Sequence, residues 1–268
     1  MSSTWGPDLF RGTAWYYARY RWRYPQPFFD HIVQRFGLDG TGRLLDLGCG
    51  PGTLAIPFAK HFDEVVALDP EPEMLAEGKR LAAEDGVKNI HWVEVGSHDL
   101  SESLGSFRLV TIGAAFHWMN RHEVIENLHK LVVADGGVVI VDSGAASDTS
   151  NAWNKAVQAV ICRWLGERRR AGTSYYEHPK ERYEDIVARS SFSGPEIWRH
   201  QYLPKTSVDI DGIIGNLYST SYCSPAVLGE KKGPFERDLR ETLLKLEPSG
   251  VFKGQPATVE AIMAWKDA

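Results

Sequence analysis

Three glycines in strict alternation follow a short apolar run. Gly48, Gly50 and Gly52 come directly after the segment Leu44-Leu45-Asp46-Leu47. Glycine lacks the Cβ atom that keeps a ligand away from the main chain, and it adopts backbone angles that other residues avoid. Residues 53–60 then have the pattern of a helix start, whose first N–H groups have no partner within the helix. The segment therefore predicts a buried strand that leads into a tight, ligand-binding turn.

A second apolar run, 64–68, ends in Asp69, 19 positions after Gly50. An acid at this place accepts hydrogen bonds from ribose hydroxyls in dinucleotide-binding proteins. The six residues 50–55 also fit the G-x-G-x-x-G/A pattern of those proteins. On these residues alone, nicotinamide and flavin cofactors remain possible.

Apolar segments of strand length alternate with segments of helical periodicity through the first half of the chain. Strands are predicted at 43–47, 64–68, 90–95, 107–113 and 137–142, and helices at 28–36, 53–61, 72–85 and 121–133. This alternation predicts an α/β fold with a parallel sheet that is covered on both faces. Right-handed crossovers would place the first strand centrally and a ligand crevice at its carboxyl end.

The pattern changes after Asp142. Helices are expected at 150–170, 180–190 and 209–246, and strands at 196–208 and 258–265. At 268 residues the chain is long enough for one large α/β domain with additions. The insertions and the aromatic N-terminus are expected to form a lid.

Composition narrows the function classes. A formal net charge of −5 argues against a nucleic-acid surface, because phosphate binding relies on concentrated Lys and Arg. No run of 18 apolar residues occurs in the sequence, so a membrane span is not expected. The three cysteines have neither metal-ligand spacing nor a disulfide pattern, which favours a reducing, cytoplasmic location and predicts no metal site. The oligomeric state is not predicted.

Four segments resemble class I S-adenosylmethionine-dependent methyltransferases. Asp46-x-Gly48-x-Gly50-x-Gly52 is similar to the first motif of that family, and Asp69-Pro70 with Met74 is similar to the second. Residues 114–118, Ala-Ala-Phe-His-Trp, resemble the "HW" signature of its small-molecule branch, which includes trans-aconitate methyltransferase and antibiotic-tailoring enzymes. Residues 135–141 resemble that branch's turn and fifth strand. The resemblance covers roughly residues 40–145.

The resemblance implies a Rossmann-like, mostly parallel sheet of seven strands with helical lid insertions. It divides the chain into an aromatic lid segment (1–36), a cofactor-binding core (37–146), a helical insertion (147–190), and C-terminal strands (191–268) that carry a second insertion (209–247). The family usually has an acid after the third strand near the adenine amino group, whereas this chain has Gly96-Ser97-His98-Asp99.

The site residues implied by the resemblance fall into two groups. His117 is the candidate general base, and packing of the cofactor is the alternative role for His117 and Trp118. The residues expected to hold S-adenosylmethionine are Tyr17, Arg21, Asp46, Gly48, Gly50, Gly52, Asp69, Pro70, Met74, Ser97, His98, Ala114 and Trp118.

The expected function is N- or O-methylation of a small molecule, with natural-product or antibiotic tailoring favoured by the long lid segments. Two alternatives stay open: an NAD-dependent oxidoreductase, and a cofactor-binding protein without transferase activity. A nucleic-acid amino-methyltransferase is disfavoured, because residues 114–117 lack the Asn/Asp-Pro-Pro-aromatic motif that grips a flipped base.

Overall fold

A computed structural model describes residues 9–145, 151–172, 174–176 and 180–267. Its main element is a seven-stranded sheet in the order β3-β2-β1-β4-β5-β11-β8. The strands of this sheet are β1 (Arg43–Leu47), β2 (Glu64–Asp69), β3 (Ile90–Glu94), β4 (Phe107–Gly113), β5 (Val132–Ala145), β8 (Ser193–Tyr202) and β11 (Ala257–Trp265). Two short ladders pair β6 (Arg170–Ala171) with β7 (Ser174–Tyr175), and β9 (Ser207–Asp209) with β10 (Val251–Lys253).

The first five strands are parallel, and the last two close the sheet in antiparallel fashion. β1 pairs with β2 and β4, and β4 pairs with β5. β11 runs antiparallel between β5 and β8. This is the predicted Rossmann-like methyltransferase sheet, with the first strand in its interior, and the fold-class prediction is confirmed.

Helices cover the sheet and build the insertions. Their bounds are α1 (Ala14–Tyr20), α2 (Gln26–Arg35), α3 (Ala55–Phe58), α4 (Pro72–Glu84), α5 (Arg121–Leu131), α6 (Ala152–Leu165), α7 (Tyr183–Ala188), α8 (Ile210–Tyr218), α9 (Pro225–Leu228) and α10 (Lys232–Leu246). Short 3₁₀ helices lie at Ala59–His61, Ser97–Asp99, Glu102–Leu104, Phe116–Trp118 and Gly229–Lys231.

Three apolar cores hold these layers together. On one face of the sheet, Phe28 and Ile32 of α2 pack with β1 residues such as Leu44. On the other face, Val124 and Ile125 of α5 pack with the alternate strand residues. A third core joins α6, α8 and α10 away from the sheet. The insertions therefore have a core of their own beside the carboxyl ends of the strands.

Several predicted bounds were wrong, for local reasons. The helix expected at 150–170 ends at Leu165, because Gly166 adopts a φ of +82° that does not continue a helix. The strand expected at 196–208 is divided between β8 and β9, with Pro204, which cannot donate to a ladder, between them. The helix expected at 209–246 is divided into α8, α9 and α10. Residues 146–150 lie outside the described part of the chain.

Candidate cofactor site

A cavity of about 440 Å³ lies at the carboxyl ends of β1, β2 and β4. We call it the cofactor cavity. Its described lining residues are Leu9, Phe10, Tyr17, Leu47, Gly48, Gly50, Asp69, Pro70, Glu71, Met74, Val95, Gly96, Ser97, His98, Gly113, Ala114, Ala115, Trp118 and Met119. A crevice at this edge of a parallel sheet is where open α/β folds bind their ligands.

The alternating glycines serve three different purposes. Gly50, with a φ of +52°, has no heavy atom within 4 Å of the position a Cβ would take, and it lines the cavity. Gly48 also lines the cavity, but a Cβ there would lie 2.6 Å from that of Ala115. Gly52 does not line it, and a Cβ there would lie only 2.6 Å from the Trp92 ring. Gly48 and Gly50 therefore lie where they can contact a ligand in the cavity, whereas Gly52 allows close packing against Trp92.

Asp69 links the end of β2 to the glycine turn. Its Oδ2 accepts a hydrogen bond from the Gly50 N–H at 2.8 Å, and its Oδ1 accepts one from the Glu71 N–H at 2.9 Å. Burial raises the pKa of Asp69, and these two N–H donors oppose the rise. Each carboxylate oxygen keeps a further lone pair for a ligand hydroxyl. Glu71, which the sequence reasoning missed, lies beside it in the lining and caps α4 by accepting from the Glu73 N–H.

Asp46 does not line the cavity, and its predicted contact with the cofactor needs correction. The side chain is 1% exposed; its Oδ1 accepts from the Thr111 hydroxyl at 2.8 Å and its Oδ2 from the Ala55 N–H at 3.0 Å. Burial raises its pKa to about 7, against the effect of both hydrogen bonds. Asp46 therefore links β1 to β4 and to the first residue of α3 by hydrogen bonds. These bonds hold the glycine turn in place from the side that faces away from the cavity.

The N-terminal segment covers one side of the cavity from Leu9 onward. Phe10 lines the cavity and meets the Trp118 ring edge-on at 5.8 Å. Tyr17 of α1, which was predicted to hold the cofactor, also lines the cavity. Arg21 does not: its guanidinium lies 5.1 Å from the centre of the Tyr17 ring and donates to the Ser219 carbonyl oxygen. Arg21 is thus placed behind Tyr17.

His117 lies in the 3₁₀ helix after β4, outside the lining of the cavity. Its ring contacts Trp118 at 4.5 Å and Tyr176 at 5.7 Å between centroids. Trp118 itself lines the cavity. The neighbouring Ala114 has a left-handed φ of +49°, which for a residue with a side chain indicates local strain at a ligand-binding turn.

The turn after β3 closes the opposite side. Ser97 and His98, both predicted to hold the cofactor, line the cavity. Asp99, the next residue, lies outside this lining, and its carboxylate lies 3.1 Å from His98 Nε2. A histidine with a neighbouring acid therefore forms this side of the cavity.

Asp142, at the carboxyl end of β5, was not predicted as a site residue. Burial raises the pKa of four tyrosines around it, and its negative charge raises them further. These are Tyr17, Tyr24, Tyr176 and Tyr183. A carboxylate thus lies within electrostatic reach of Tyr17 in the cofactor cavity and of Tyr176 beside His117.

Of the thirteen predicted cofactor residues, ten line the cavity and Arg21, Asp46 and Gly52 do not. The residues that sequence reasoning missed are mostly apolar neighbours of predicted ones, such as Leu47, Gly113 and Met119. Their position next to predicted strand ends was the signal that could have identified them. No such signal marks Leu9 and Phe10, because their place in the lining depends on the tertiary fold.

A second cavity, of about 610 Å³, lies among the insertions. We call it the insertion cavity. Tyr20 of α1 lines it, one helical turn along the same face of the helix from Tyr17 in the cofactor cavity, so α1 contributes to both linings. The Tyr20 ring packs on Gly215 of α8. The described lining residues include Lys155, Arg169 and Lys205, and no Asp or Glu.

The comparisons with known proteins agree with the resemblance. Residues 44–136 match the family of the methyltransferase domain. This part of the chain is similar to class I S-adenosylmethionine-dependent methyltransferases. The chain is 33% identical over 122 residues to trans-aconitate 2-methyltransferase of Mycobacterium tuberculosis, covering 44% of this chain and 40% of that relative. It spans less than half the length of the first curated relatives it matches.

Solved structures share the fold of the methyltransferase domain. A Bacillus halodurans protein assigned to the methyltransferases aligns with a TM-score of 0.55 at 16% identity, over 89% of this chain and 98% of that one. Phosphoethanolamine N-methyltransferase 2 of Haemonchus contortus, in complex with phosphomonomethylethanolamine and S-adenosylhomocysteine, aligns with a TM-score of 0.53 at 16% identity. It covers 98% of this chain and 57% of that one.

The cofactor of this class is S-adenosylmethionine, and the cavity fits it. Gly50 leaves open space at the turn, Asp69 offers carboxylate oxygens, and Pro70 and Met74 supply apolar surface. Among the described residues, the lining contains two carboxylates and no Lys or Arg, which suits a cofactor that carries a positive sulfonium. In the described part of the chain, no helix is long and apolar enough to cross a membrane, and no three His, Cys, Asp or Glu side chains group as metal ligands.

Proposed function

We propose that this chain transfers the methyl group of S-adenosylmethionine to a small-molecule acceptor. The observation that carries the proposal is the cofactor cavity itself: a glycine turn, an anchored acid and a covering aromatic segment at the carboxyl edge of a methyltransferase sheet. Its volume is in the range of small-molecule sites.

The bound cofactor supplies an electrophilic methyl group, which a nucleophile attacks in line. The residues of this chain bind and orient. Asp69 would accept from the ribose hydroxyls, and Pro70 and Met74 would flank the adenine. Tyr17 and Phe10 would exclude water from above. Holding two reactants in line is worth up to about 7–11 kcal/mol of the barrier, so binding and orientation carry most of the rate.

His117 is the proposed general base for acceptors that must lose a proton. Its ring lies next to Trp118, which lines the cofactor cavity. A base contributes on the order of 10²–10⁴-fold to the rate. His117→Ala should therefore lower kcat on an identified acceptor by about 10²-fold or more, with unchanged affinity for S-adenosylhomocysteine. A His117→Ala variant that keeps a third or more of the wild-type kcat would show that His117 is not a general base.

Small-molecule specificity is supported by the relatives. Trans-aconitate 2-methyltransferase and phosphoethanolamine N-methyltransferase 2 are both named for small acceptors. We propose a natural-product or antibiotic tailoring role in the cytoplasm, because the insertions build a second cavity beside the cofactor. N- and O-methylation both fit this arrangement.

The test is to trace the methyl group. S-adenosylmethionine with a labelled methyl is incubated with the protein and with separate small-molecule, protein and nucleic-acid fractions of a cell extract. We expect label in the small-molecule fraction, and its loss with the Asp69→Ala variant. Label that enters only protein or nucleic acid would contradict the proposal.

A further inference from the structure

We propose that the insertion cavity binds the methyl acceptor through an anionic group, a carboxylate or a phosphate. The inference rests on the proposed function for its claim that the ligand is the acceptor. The claim that the ligand is an anion rests on the cavity alone.

The charge of the lining is one-sided. Lys155, Arg169 and Lys205 come from three separate parts of the chain and meet around one cavity. In the described residues none of these three side chains forms an ion pair with a carboxylate, whereas other arginines of the insertions do, such as Arg163 with Asp238. Three cations around a concave surface without a counter-charge create a positive potential that attracts anions.

Two buried donors in the same lining lack an acceptor. The Trp153 Nε1–H and the Gln255 Nε2 group are shielded from solvent and have no hydrogen-bond partner among the described residues. Gln255 Oε1 already accepts from the Asn154 side chain at 2.6 Å, which directs its amide group. Buried donors are almost always paired in folded proteins, and an unmade bond costs about 1–3 kcal/mol. Both side chains line the cavity, and their rotation toward it would let a bound anion accept from both donors.

The rest of the lining suits a flat or apolar body. Trp22, Trp153 and Tyr222 line the cavity, and the Arg169 guanidinium lies 4.9 Å from the centre of the Tyr222 ring. Aromatic side chains supply a large, stiff apolar surface. The ligand class is therefore an anion with a planar or apolar portion.

The place of the cavity connects it with methyl transfer. Tyr20 in its lining and Tyr17 in the cofactor cavity are one turn apart on α1. An acceptor anchored by its anion in the insertion cavity would extend along α1, from Tyr20 toward Tyr17 and the cofactor. The two cavities have opposite charge, which keeps a cationic cofactor and an anionic acceptor in their own sites.

The experiment is calorimetric titration of the protein saturated with S-adenosylhomocysteine. The probes are benzoate and phenyl phosphate, with benzamide as the neutral analogue. We expect the better anion to bind at least about tenfold more tightly than benzamide, as charge-assisted hydrogen bonds predict. The tighter of the two anions identifies carboxylate or phosphate as the group recognised.

Three variants locate the binding. The double variant Lys155→Gln with Arg169→Gln changes two exposed side chains and should weaken the anion about tenfold or more, with benzamide unaffected. Trp153→Phe keeps the aromatic surface but removes the unpaired N–H, and should cost several-fold. Lys245→Gln removes an exposed charge on α10 outside both linings and should change nothing.

Equal binding of anions and benzamide, no anion binding, or an unchanged anion affinity in the double variant would overturn the inference. Failure of the protein to bind S-adenosylhomocysteine would instead contradict the proposed function. In that case the anion and benzamide titrations of the ligand-free protein still decide the nature of the insertion cavity.

Discussion

The two cavities both have a residue of α1 in their linings, but they are built in different ways. The cofactor cavity is formed mainly by strand ends and the turns that follow them, and its described lining holds Asp69 and Glu71 but no Lys or Arg. The insertion cavity is formed largely by long side chains of the insertions and of the segments next to them, and its described lining holds Lys155, Arg169 and Lys205 but no acid. The cofactor cavity is thus shaped by turns of the main chain and carries acidic side chains. The insertion cavity is shaped by side chains, and its charged residues are basic.

The difference assigns cofactor binding and the proposed acceptor binding to different parts of the fold. A turn fixed by main-chain hydrogen bonds and by Asp46 behind it can hold the same ligand in many relatives. Side chains presented by helices outside the sheet can change without disturbing that turn. Cofactor binding should therefore be sensitive to small changes of backbone geometry at the turn, and acceptor binding to the charge of the insertions.

The largest effect is expected from closing the open space at Gly50. Gly50→Val places a branched side chain where the cavity begins, and should weaken S-adenosylhomocysteine by about 100-fold. Gly50→Ala is the milder version. Gly86→Val is the matched control, because Gly86 also has a positive φ and open space, but lies after α4 away from the cavity. Equal affinity losses at both glycines, measured by calorimetry, would show that backbone strain alone is responsible.

Asp69→Ala should weaken S-adenosylhomocysteine by roughly 10- to 100-fold, because it removes charge-assisted hydrogen bonds worth about 1.5–3 kcal/mol. The control is Asp63→Ala. Asp63 Oδ2 accepts from the Gly42 N–H at 2.8 Å, much as Asp69 accepts from Gly50, but at the opposite end of the sheet. The control should lose stability without losing affinity. An Asp69→Ala protein with normal affinity would remove this acid from the site.

Two carboxyl groups, Asp46 beside the cofactor turn and Asp238 in the insertions, should make stability respond to pH in opposite directions. Burial raises the pKa of Asp46 to about 7, so the folded state keeps a proton that the unfolded state releases. Its contribution to stability therefore falls as pH rises from about 4 to about 7, by at most about 1.4 kcal/mol for each pH unit. Hydrogen bonding from Trp164 lowers the pKa of the partly exposed Asp238 in the insertions, so its contribution is lost as pH falls.

The measurement is chemical unfolding of wild type, Asp46→Asn and Asp238→Asn from about pH 2, where Asp238 loses its contribution, to about pH 8. The stability difference between wild type and Asp46→Asn should decrease from pH 4 to pH 7 and then stay level. The difference for Asp238→Asn should be small and should shrink on acidification. Parallel curves for all three proteins would contradict the assignment of both carboxylates.

The smallest effect concerns the N-terminal segment, which contributes residues to both cavity linings. If residues 12–24 close over the cofactor, tryptic cleavage at Arg19, Arg21 and Arg23 should slow several-fold when S-adenosylhomocysteine is bound. Cleavage after Arg237 on α10, outside both linings, serves as the internal reference. The same rate with and without ligand at the N-terminal sites would assign this segment to static packing.

The sequence predicts the cofactor half well because its information is local. Apolar strands, the glycine turn and the acid at the end of β2 lie within a few residues of one another, and parallel order brings their carboxyl ends together. One of the exceptions is Asp46, which has the family spacing but faces Thr111 and Ala55. An acid at the end of a strand can point either to the ligand or to neighbouring parts of the protein. Its direction depends on hydrogen-bond partners that the sequence spacing does not reveal.

The insertion half could not be predicted in the same way. Tyr20, Trp153, Arg169, Lys205 and Gln255 line one cavity although they are spread over most of the chain. No repeat or motif links them, and each taken alone has the properties of a surface residue. Their convergence depends on how α6, α8 and the β9–β10 ladder pack, which only the tertiary structure shows.

The central claim is that the cofactor cavity binds an S-adenosyl cofactor and not a nicotinamide one. Both readings fit the G-x-G-x-x-A turn and Asp69, so one titration separates them. Calorimetry of the wild-type protein should give a dissociation constant in the micromolar range for S-adenosylhomocysteine and no heat of binding for NADH. Binding of NADH without binding of S-adenosylhomocysteine would contradict the account.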